Sequence, residues 1–322
     1  MPATDPVPTR NPSIMNLEPS LEVYALAVDS DQLEPLPEGG SRKKKGLGWG
    51  AWLAIIWLVG LTVLALAAPL LPIPDPNQSF SEIARQGPVS GHWLGGDANG
   101  RDLLARIIYG TRASFAIGFG AVGFGLVVGG FLGLATGFFR GKVDAIITPI
   151  MTILLAIPQF VLALSLVTVL SSGDRVSSVQ RIGVVVLGLG IVSIPILGRI
   201  TRGNTLSWSE REFVLAARAM GAKSWRIMLR DILPNVFPAM LSISLLGVGI
   251  AIVAEGGLAL FGVGVAPPTP SWGNIIAENK DQLNRAPHIV MFTIVVLFLT
   301  VLALNFLADV VSKRFEVRES VL

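Results

Sequence analysis

Cysteine is absent from the sequence, histidine occurs twice in 322 residues, and charged residues make up only 15% of the chain. Without cysteine the protein can form no disulfide and no thiolate metal site. His92 and His288 stand outside any HExxH pattern, so a zinc protease would lack its ligands. No glycine-rich segment ends in Gly-Lys-Ser or Gly-Lys-Thr, which excludes ATP hydrolysis by a phosphate loop. We therefore predict a non-catalytic chain that binds no cofactor and no metal of its own.

Hydrophobic residues, by contrast, make up 52% of the chain, and its mean hydropathy is +0.64. These values are typical of an integral membrane protein. A helix needs roughly 20 apolar residues to cross a bilayer. Six segments are long enough: 49–71, 113–138, 143–170, 182–201, 235–262 and 287–311. The sequence therefore predicts an all-α polytopic membrane protein with six transmembrane helices.

The distribution of lysine and arginine predicts the orientation of these helices. With the N-terminus inside, the cytoplasmic flanks hold sixteen basic residues near the membrane and the opposite loops hold eight. Because cytoplasmic loops are enriched in basic residues, both termini are predicted to be cytoplasmic. The basic residues are divided among separate loops rather than gathered on one face, which argues against nucleic-acid binding.

The N-terminal segment differs in composition from the rest, since residues 1–41 contain seven acidic residues, one basic residue and many prolines. Such a segment buries too little apolar surface to offset its ordering entropy. We predict that residues 1–48 form a disordered acidic cytoplasmic tail with a basic anchor, and that residues 312–322 form a cytoplasmic C-terminal tail. Residues 65–67 (Ala-Leu-Ala) have the pattern of a signal-peptide cleavage site, but the preceding apolar run is unusually long. Cleavage there would leave five spans in unchanged orientation.

The extracytoplasmic loop predicted at 72–112 combines turn residues with a short amphipathic segment. Residues 95–97 (Gly-Gly-Asp) are typical of a turn. Apolar residues then follow at helical spacing, surrounded by arginines: Leu103, Leu104, Ile107 and Ile108. This pattern predicts an amphipathic helix lying on the outer interface before the second span. A second outer segment, 262–274, is predicted to be a proline-rich turn anchored by Trp272.

The transmembrane core, predicted at 113–311, contains glycines, prolines and polar residues with possible structural or transport roles. Four glycines at four-residue spacing predict close packing of the second span against another helix: Gly125, Gly129, Gly133 and Gly137. Prolines inside later spans predict kinks: Pro149, Pro158 and Pro195. Four polar residues are candidates for a substrate pathway: Gln159, Ser193, Glu255 and Asn305. Each could instead hydrogen-bond between helices, and Glu255 could accept hydrogen bonds from an interrupted helix.

The cytoplasmic loop 207–233 contains a charged amphipathic segment between two hydrophobic spans. Its apolar residues recur at three-and-four spacing and form one stripe: Phe213, Val214, Ala217 and Met220. Gly221 is expected to end a first short helix, because glycine adopts positive φ without steric cost. Pro234 suits the first turn of the next span. The pattern predicts two short helices joined at Gly221, bound either by a soluble partner or by anionic lipid.

This loop resembles the EAA loop of ABC-importer permeases. The matching residues are Ala216, Ala217, Gly221, Leu233 and Pro234, whereas Leu215 stands where the pattern has glutamate. The resemblance implies that an ATPase subunit binds this loop. The residues expected to couple the two subunits are Glu212, Phe213, Ala216, Ala217, Arg218, Gly221, Ala222, Trp225 and Pro234.

Further motifs resemble those of dipeptide and oligopeptide permeases, and together they cover about residues 49–311. They are His92-x-Leu-Gly-x-Asp-x-x-Gly-Arg-Asp102, Tyr109-Gly-x-Arg-x-Ser114, Phe138-Phe-Arg-Gly-Lys-x-Asp144, the stretch from Glu255 to Gly264, and Pro267-Pro-Thr-Pro-Ser-Trp-Gly-Asn274. Gly96, where threonine is usual, Leu215 and the long acidic tail depart from the pattern. The motifs suit the second of the two permeases in such importers.

The resemblance implies a type I ABC importer permease fold in a prokaryotic inner membrane. Its implied partners are a homologous second permease, two ATP-binding subunits that hold ATP and Mg, an extracytoplasmic solute-binding protein and membrane lipid. Peptides are the first substrate expected, and nickel chelates, glutathione, haem and oligosaccharides are the alternatives. A passive channel would leave the EAA-like loop unexplained, and an intramembrane serine enzyme would lack a base at membrane depth.

Overall fold

The computed structural model describes residues 48–171 and 177–319, with side chains described up to residue 314. The predicted acidic tail, apart from residue 48, lies outside the described residues, as do the last three residues of the predicted C-terminal tail. In chain order the helices are α1 (Trp49–Ala67), α2 (Leu103–Phe139), α3 (Gly141–Ala156), α4 (Gln159–Leu170), α5 (Ser178–Ser209), α6 (Glu212–Ala219), α7 (Ser224–Arg226), α8 (Leu233–Leu260), α9 (Trp272–Asn279) and α10 (Pro287–Glu319). A π-helical segment, Ile227–Ile232, joins α7 to α8.

Five stretches are long and apolar enough to cross a membrane as continuous helices: Trp49–Leu70, Leu103–Phe139, Ser178–Ser209, Ser224–Leu260 and Pro287–Arg314. The span predicted at 143–170 is not one continuous helix, because α3 and α4 meet at an angle of 94°. The bend lies at Pro158, one of the predicted kinks, and is sharp enough to separate two helices. Ile157 at the junction has extended backbone angles, φ −78° and ψ 134°. The residue before a proline is driven out of the helical region, and Pro158 itself donates no backbone hydrogen bond.

The bent pair α3–α4 nevertheless extends along much of α5, as its contacts with that helix show. Asp144 in α3 binds Arg202 near the cytoplasmic end of α5. Val167 in α4 packs against Gly188 of α5, which lies fourteen residues before Arg202 in that helix. Fourteen helical residues span about 21 Å. The pair therefore runs antiparallel to α5 over a length comparable to most of a bilayer core. Counted as one broken span, it gives the six crossings predicted from the sequence; without it there are five.

The glycine ridge of α2 packs against α5, as the four-residue spacing predicts. A Cβ added at Gly133 would lie 2.4 Å from the carbonyl oxygen of Gly198, and one added at Gly129 would lie 2.4 Å from that of Ile194. A side chain at either position would separate the two backbones. Close packing of these two helices forms the centre of the bundle.

The predicted interfacial helix is wrong, because residues 103–112 are the outer end of the 37-residue helix α2. Asp102 caps this helix by accepting a hydrogen bond from the Ala105 N–H at 2.8 Å. The apolar face is covered by protein, since Leu103 and Ile107 pack against Ile275 and other residues of the outer region. A helix of this length measures about 55 Å, so its outer end extends beyond a hydrocarbon core of about 30 Å.

Candidate functional site

The segment between α5 and α8, predicted to be cytoplasmic and called the cytoplasmic segment below, consists of two short helices with a tight turn between them. α6 ends at Ala219, and Gly221 adopts φ +77°. The N–H of Ala222 then donates to the carbonyl of Ala217 at 3.0 Å, which closes the turn. The predicted break at Gly221 is confirmed. The second helix is not separate, however, because α7 continues through the π-helical segment into the fifth span.

Buried apolar residues connect this segment to the transmembrane helices. Val214 of α6 is fully buried and belongs to a cluster with Ile227, Ile232, Trp208 and Phe138. These residues come from α2, from the end of α5 and from both sides of the Gly221 turn. α6 is therefore packed against residues of three apolar helices, α2, α5 and the helix that continues into α8.

The opposite face of the segment leaves large apolar side chains exposed. Met220 is 81% exposed, Trp225 is 60% exposed and Leu215 is 53% exposed. Of the other residues predicted to couple to a partner, Glu212, Phe213, Ala216, Arg218, Gly221 and Pro234 are exposed, whereas Ala217 and Ala222 are partly buried. Exposed apolar side chains concentrated on a water-facing segment mark an interaction surface.

The cations of the segment have no ion-pair partner within the described residues. Arg211 lies over the Trp208 ring and Arg218 over the Phe138 ring, with distances of 5.2 and 5.1 Å to the ring centroids. Lys223, Arg226 and Arg230 likewise form no salt bridge in the part of the chain that the structure describes. A face with several unpaired cations attracts a partner of negative potential.

A cleft of about 450 Å³ opens beside α6, where the segment meets the end of α2. Its lining residues are Phe138, Phe139, Arg140, Ser209, Glu210, Leu215 and Arg218. Sequence reasoning assigned only Arg218 of these residues to the coupling site. Leu215 lies in α6 and was noted only as a departure from the EAA pattern. The remaining residues come from the ends of α2 and α5, and the Phe-Phe-Arg run before the third span was the only signal for that part of the cleft. The cleft adds a concave element to the exposed surface.

Comparison with known proteins agrees with this geometry. Residues 125–320 match the family described as "Binding-protein-dependent transport system inner membrane component". The chain belongs to this family. It is thus a membrane permease subunit of an ABC importer, and the fold and family expected from the sequence are confirmed.

Relatives of this permease include two with named transport systems. The glutathione transport system permease GsiD of Pectobacterium atrosepticum is 37% identical over 256 residues, which cover 78% of this chain and 82% of the relative. The dipeptide transport system permease DppC of Alkalihalophilus pseudofirmus is 35% identical over 260 residues, covering 80% and 83%. A solved inward-facing structure of the MetNI methionine ABC transporter matches at TM-score 0.53 and 19% identity, over 66% of this permease and 97% of that chain.

The four pathway candidates of the permease have different hydrogen-bond partners, and none of the bonds in the described residues joins two of them. Gln159 donates to the carbonyls of Leu154 and Ile157 across the α3–α4 bend, at 3.1 and 3.0 Å. Ser193 donates to the carbonyl of Leu189. Asn305 is exposed on α10. The structure does not gather these residues into one site, and their pathway role stays a prediction.

Glu255 has the structural role that the sequence left open. It is fully buried, and its Oε1 accepts a hydrogen bond from Ser271 Oγ at 2.7 Å. Ser271 is the N-cap of α9 and also accepts from the Asn274 N–H. A carboxylate is favourable at a helix N-terminus, where the peptide dipoles leave partial positive charge. Through this hydrogen bond Glu255 connects α8 to the start of α9, and its pathway role stays a prediction.

The outer loops of the permease are joined by buried charges. Asp97 accepts from Arg101 at 2.6 Å and lies 3.6 Å from Arg106, which is fully buried. Both arginines also contact Glu278 of α9. Burial opposes the charge of Arg101, but the hydrogen bonds and charges of Asp97 and Glu278 outweigh it and raise the pKa of Arg101. His92 Nδ1 lies 2.7 Å from Asp102 in the same region.

Proposed function

We propose that this permease forms half of the translocation pore of an ATP-driven importer for dipeptides and oligopeptides. An extracytoplasmic binding protein delivers the peptide, a homologous second permease completes the pore, and two ATPase subunits that carry ATP and Mg bind the cytoplasmic face. The permease itself is non-catalytic. In this proposal the membrane is the prokaryotic inner membrane, and both termini are cytoplasmic.

The substrate class is supported by the names of the two relatives. One is a glutathione permease and the other a dipeptide permease, and both share more than a third of their aligned residues with this chain. Glutathione is itself a tripeptide, so both names indicate short peptides. Glutathione is therefore the second candidate, ahead of nickel chelates, haem and oligosaccharides.

The coupling role is supported mainly by one feature of the segment at 207–233. The segment has an exposed apolar face and, on its other side, apolar residues buried against the rest of the subunit. Met220 and Trp225 face outward, while Val214 and Ile227 pack against the transmembrane helices. A segment that transmits force must be held on both sides, by its partner and by its own subunit. The ATPase is proposed as that partner, since the segment has the residue pattern of the EAA loop.

The orientation of the chain follows from the same proposal. ATP is available in the cytoplasm, so the segment at 207–233 lies inside the cell. In this proposal the chain crosses the membrane six times, and the loop connects the fourth crossing to the fifth. Both termini are therefore on the cytoplasmic side. The excess of basic residues in the cytoplasmic loops supports this arrangement.

The coupling role is tested with Gly221→Val in the complete reconstituted importer. Gly221 adopts φ +77°, which a β-branched residue cannot adopt without strain, so the turn should open and shift α6. We expect the ATPase activity stimulated by binding protein and peptide to fall at least about tenfold, equivalent to roughly 1.4 kcal/mol of coupling. Gly203→Val is the matched control, because a Cβ at Gly203 enters open space in a helix.

The proposal is contradicted if Gly221→Val leaves both stimulated ATP hydrolysis and uptake unchanged, or if uptake proceeds without any ATPase. Substrate class is decided separately, by uptake of labelled dipeptide, glutathione and nickel into proteoliposomes with the cognate binding protein. Uptake of nickel or haem alone would remove the peptide proposal and leave the coupling role intact.

A further inference from the structure

We infer that the cleft beside α6 receives a carboxylate side chain of the ATPase subunit, which pairs with Arg218. This inference rests on the proposed function, since it assigns the contact that the ATPase makes at one place. It concerns the charge of the partner at that place, which neither the family nor the fold specifies.

Arg218 is the unpaired cation of the cleft. Its guanidinium lies 5.1 Å from the centroid of the Phe138 ring and forms no salt bridge within the described residues. The carboxylate that lines the same cleft, Glu210, is bound to Arg140 at 2.8 Å. Arg140 is further held by Ser209 at 3.1 Å. The pair formed by Arg140 and Glu210 thus has no net charge, and no carboxylate in the cleft compensates the positive charge of Arg218.

Apolar walls around this charge favour a carboxylate on an aliphatic stem. Leu215 and Phe139 are each about half exposed and line the cleft together with Phe138. When a partner covers these side chains, water is excluded and the effective dielectric falls, which strengthens the attraction between Arg218 and an opposite charge. Burying Arg218 without such a charge would be costly.

Leu215 explains why the charge stays available. It precedes Arg218 by three residues in α6, the spacing at which side chains on a helix meet. A glutamate at position 215 would pair with Arg218 within the chain. Leucine cannot do so, and it also supplies part of the apolar wall. The departure from the EAA pattern and the unpaired arginine are therefore two aspects of one arrangement.

A lipid phosphate is less suited to the cleft because of its depth. Along α3, the exposed side chains change from polar to apolar near Asp144, which pairs with Arg202. We take this level as the edge of the hydrocarbon core. Ser209, which lines the cleft, is seven residues further along α5, or about 10 Å from that level toward the cytoplasm. The headgroup layer is roughly 5–8 Å thick on each side of the hydrocarbon core. The cleft therefore faces the space that a soluble subunit occupies.

The test is the effect of Leu215→Glu on stimulated ATP hydrolysis by the complete importer in neutral phosphatidylcholine nanodiscs. The new carboxylate should pair with Arg218 and repel the carboxylate of the partner. We expect activity to fall at least about tenfold below that of Leu215→Gln, which has the same shape as the glutamate without the charge and reports the cost of losing the apolar side chain. An increase in activity with Leu215→Glu would mean that a cation of the ATPase faces this position, and the inference would be overturned.

A second variant identifies the source of the negative charge. Arg218→Glu should abolish stimulation, and replacing one acidic residue of the ATPase surface by arginine should restore it. If Arg218→Gln reduces activity only in nanodiscs that contain phosphatidylglycerol, the occupant is a lipid phosphate and the inference is wrong. The proposed function fails on a different result, because it requires only that Gly221→Val uncouple the importer. Loss with Gly221→Val but not with Leu215→Glu rejects the cleft contact alone.

Discussion

The outer and cytoplasmic ends of this permease use arginine in opposite ways. At the outer end, Arg106 is fully buried and shares Asp97 and Glu278 with Arg101. At the cytoplasmic end, Arg218 is exposed and lies on an aromatic ring with no acidic partner among the residues described. At the outer end the buried arginines contact carboxylates of the same subunit. At the cytoplasmic end Arg140 and Arg202 are paired in the same way, whereas Arg218 is not.

The difference shows which end is completed by folding. In the outer region, side-chain contacts connect residues far apart in the chain, as when Asn279 accepts a hydrogen bond from the Ala98 N–H. The outer loop, α9 and the end of α2 thereby form one unit. The cytoplasmic segment is held by apolar packing on one side only. Its other side is exposed, and it is the side on which we propose that the ATPase binds.

The largest effect is expected at the outer end, from Asp97→Ala. The change leaves Arg101 and the buried Arg106 with only Glu278 as a shared carboxylate and removes the acceptor for the backbone N–H groups of Asn99 and Arg101. Breaking a buried ion pair costs roughly 3–5 kcal/mol. Thermal unfolding of the purified importer in detergent should shift strongly downward. If the shift is no larger than that of Glu82→Ala, an exposed acid of the same loop, the outer network is not structural.

A smaller effect is expected from Ser271→Ala, which acts on the same end through a neutral group. The variant leaves the buried Glu255 carboxylate without its hydroxyl donor and removes the N-cap of α9. The cost of an unsatisfied buried acceptor is about 1–3 kcal/mol. Unfolding monitored by tryptophan fluorescence should show it, since Trp272 lies in the first turn of α9. A stability equal to that of Ser81→Ala, an exposed serine, would contradict the structural role of Glu255.

The smallest effect on stability is expected at the cytoplasmic end, from Glu210→Ala. Glu210 and Arg140 form an exposed pair, and such pairs contribute less than about 1 kcal/mol. The unfolding temperature should hardly change, although the freed Arg140 adds a second unpaired cation to the cleft. A loss of stability as large as that of Asp97→Ala would erase the contrast between the two ends.

Local patterns predicted part of this structure correctly. The four-residue spacing of glycines in α2 predicted the close contact with α5, and Gly221 predicted the turn of the cytoplasmic segment. Both features depend on residues that are near one another in sequence and on the absence of a side chain. The positions of five continuous spans followed from hydropathy for the same reason, because each helix satisfies its own backbone hydrogen bonds.

Other features could not be predicted in this way. Pro158 and Pro195 both lie in hydrophobic runs, yet only the first separates two helices, since Pro195 remains inside α5. Residues 103–112 have the spacing of an interfacial helix, but other parts of the protein cover their apolar face. In both cases the surrounding packing decides between two locally acceptable conformations.

The sequence by itself determined the membrane location, the positions of the apolar helices and the residues of the segment between α5 and α8. These depend on hydropathy and on short spacings, which act within one helix. Tertiary structure alone decided that Arg106 meets Glu278 across 172 positions and that Phe139, Leu215 and Arg218 share a cleft. Contacts of that kind depend on how helices pack, so they cannot be predicted from the spacing of residues within one helix. The unpaired charge of Arg218 became visible only when its neighbours were in place.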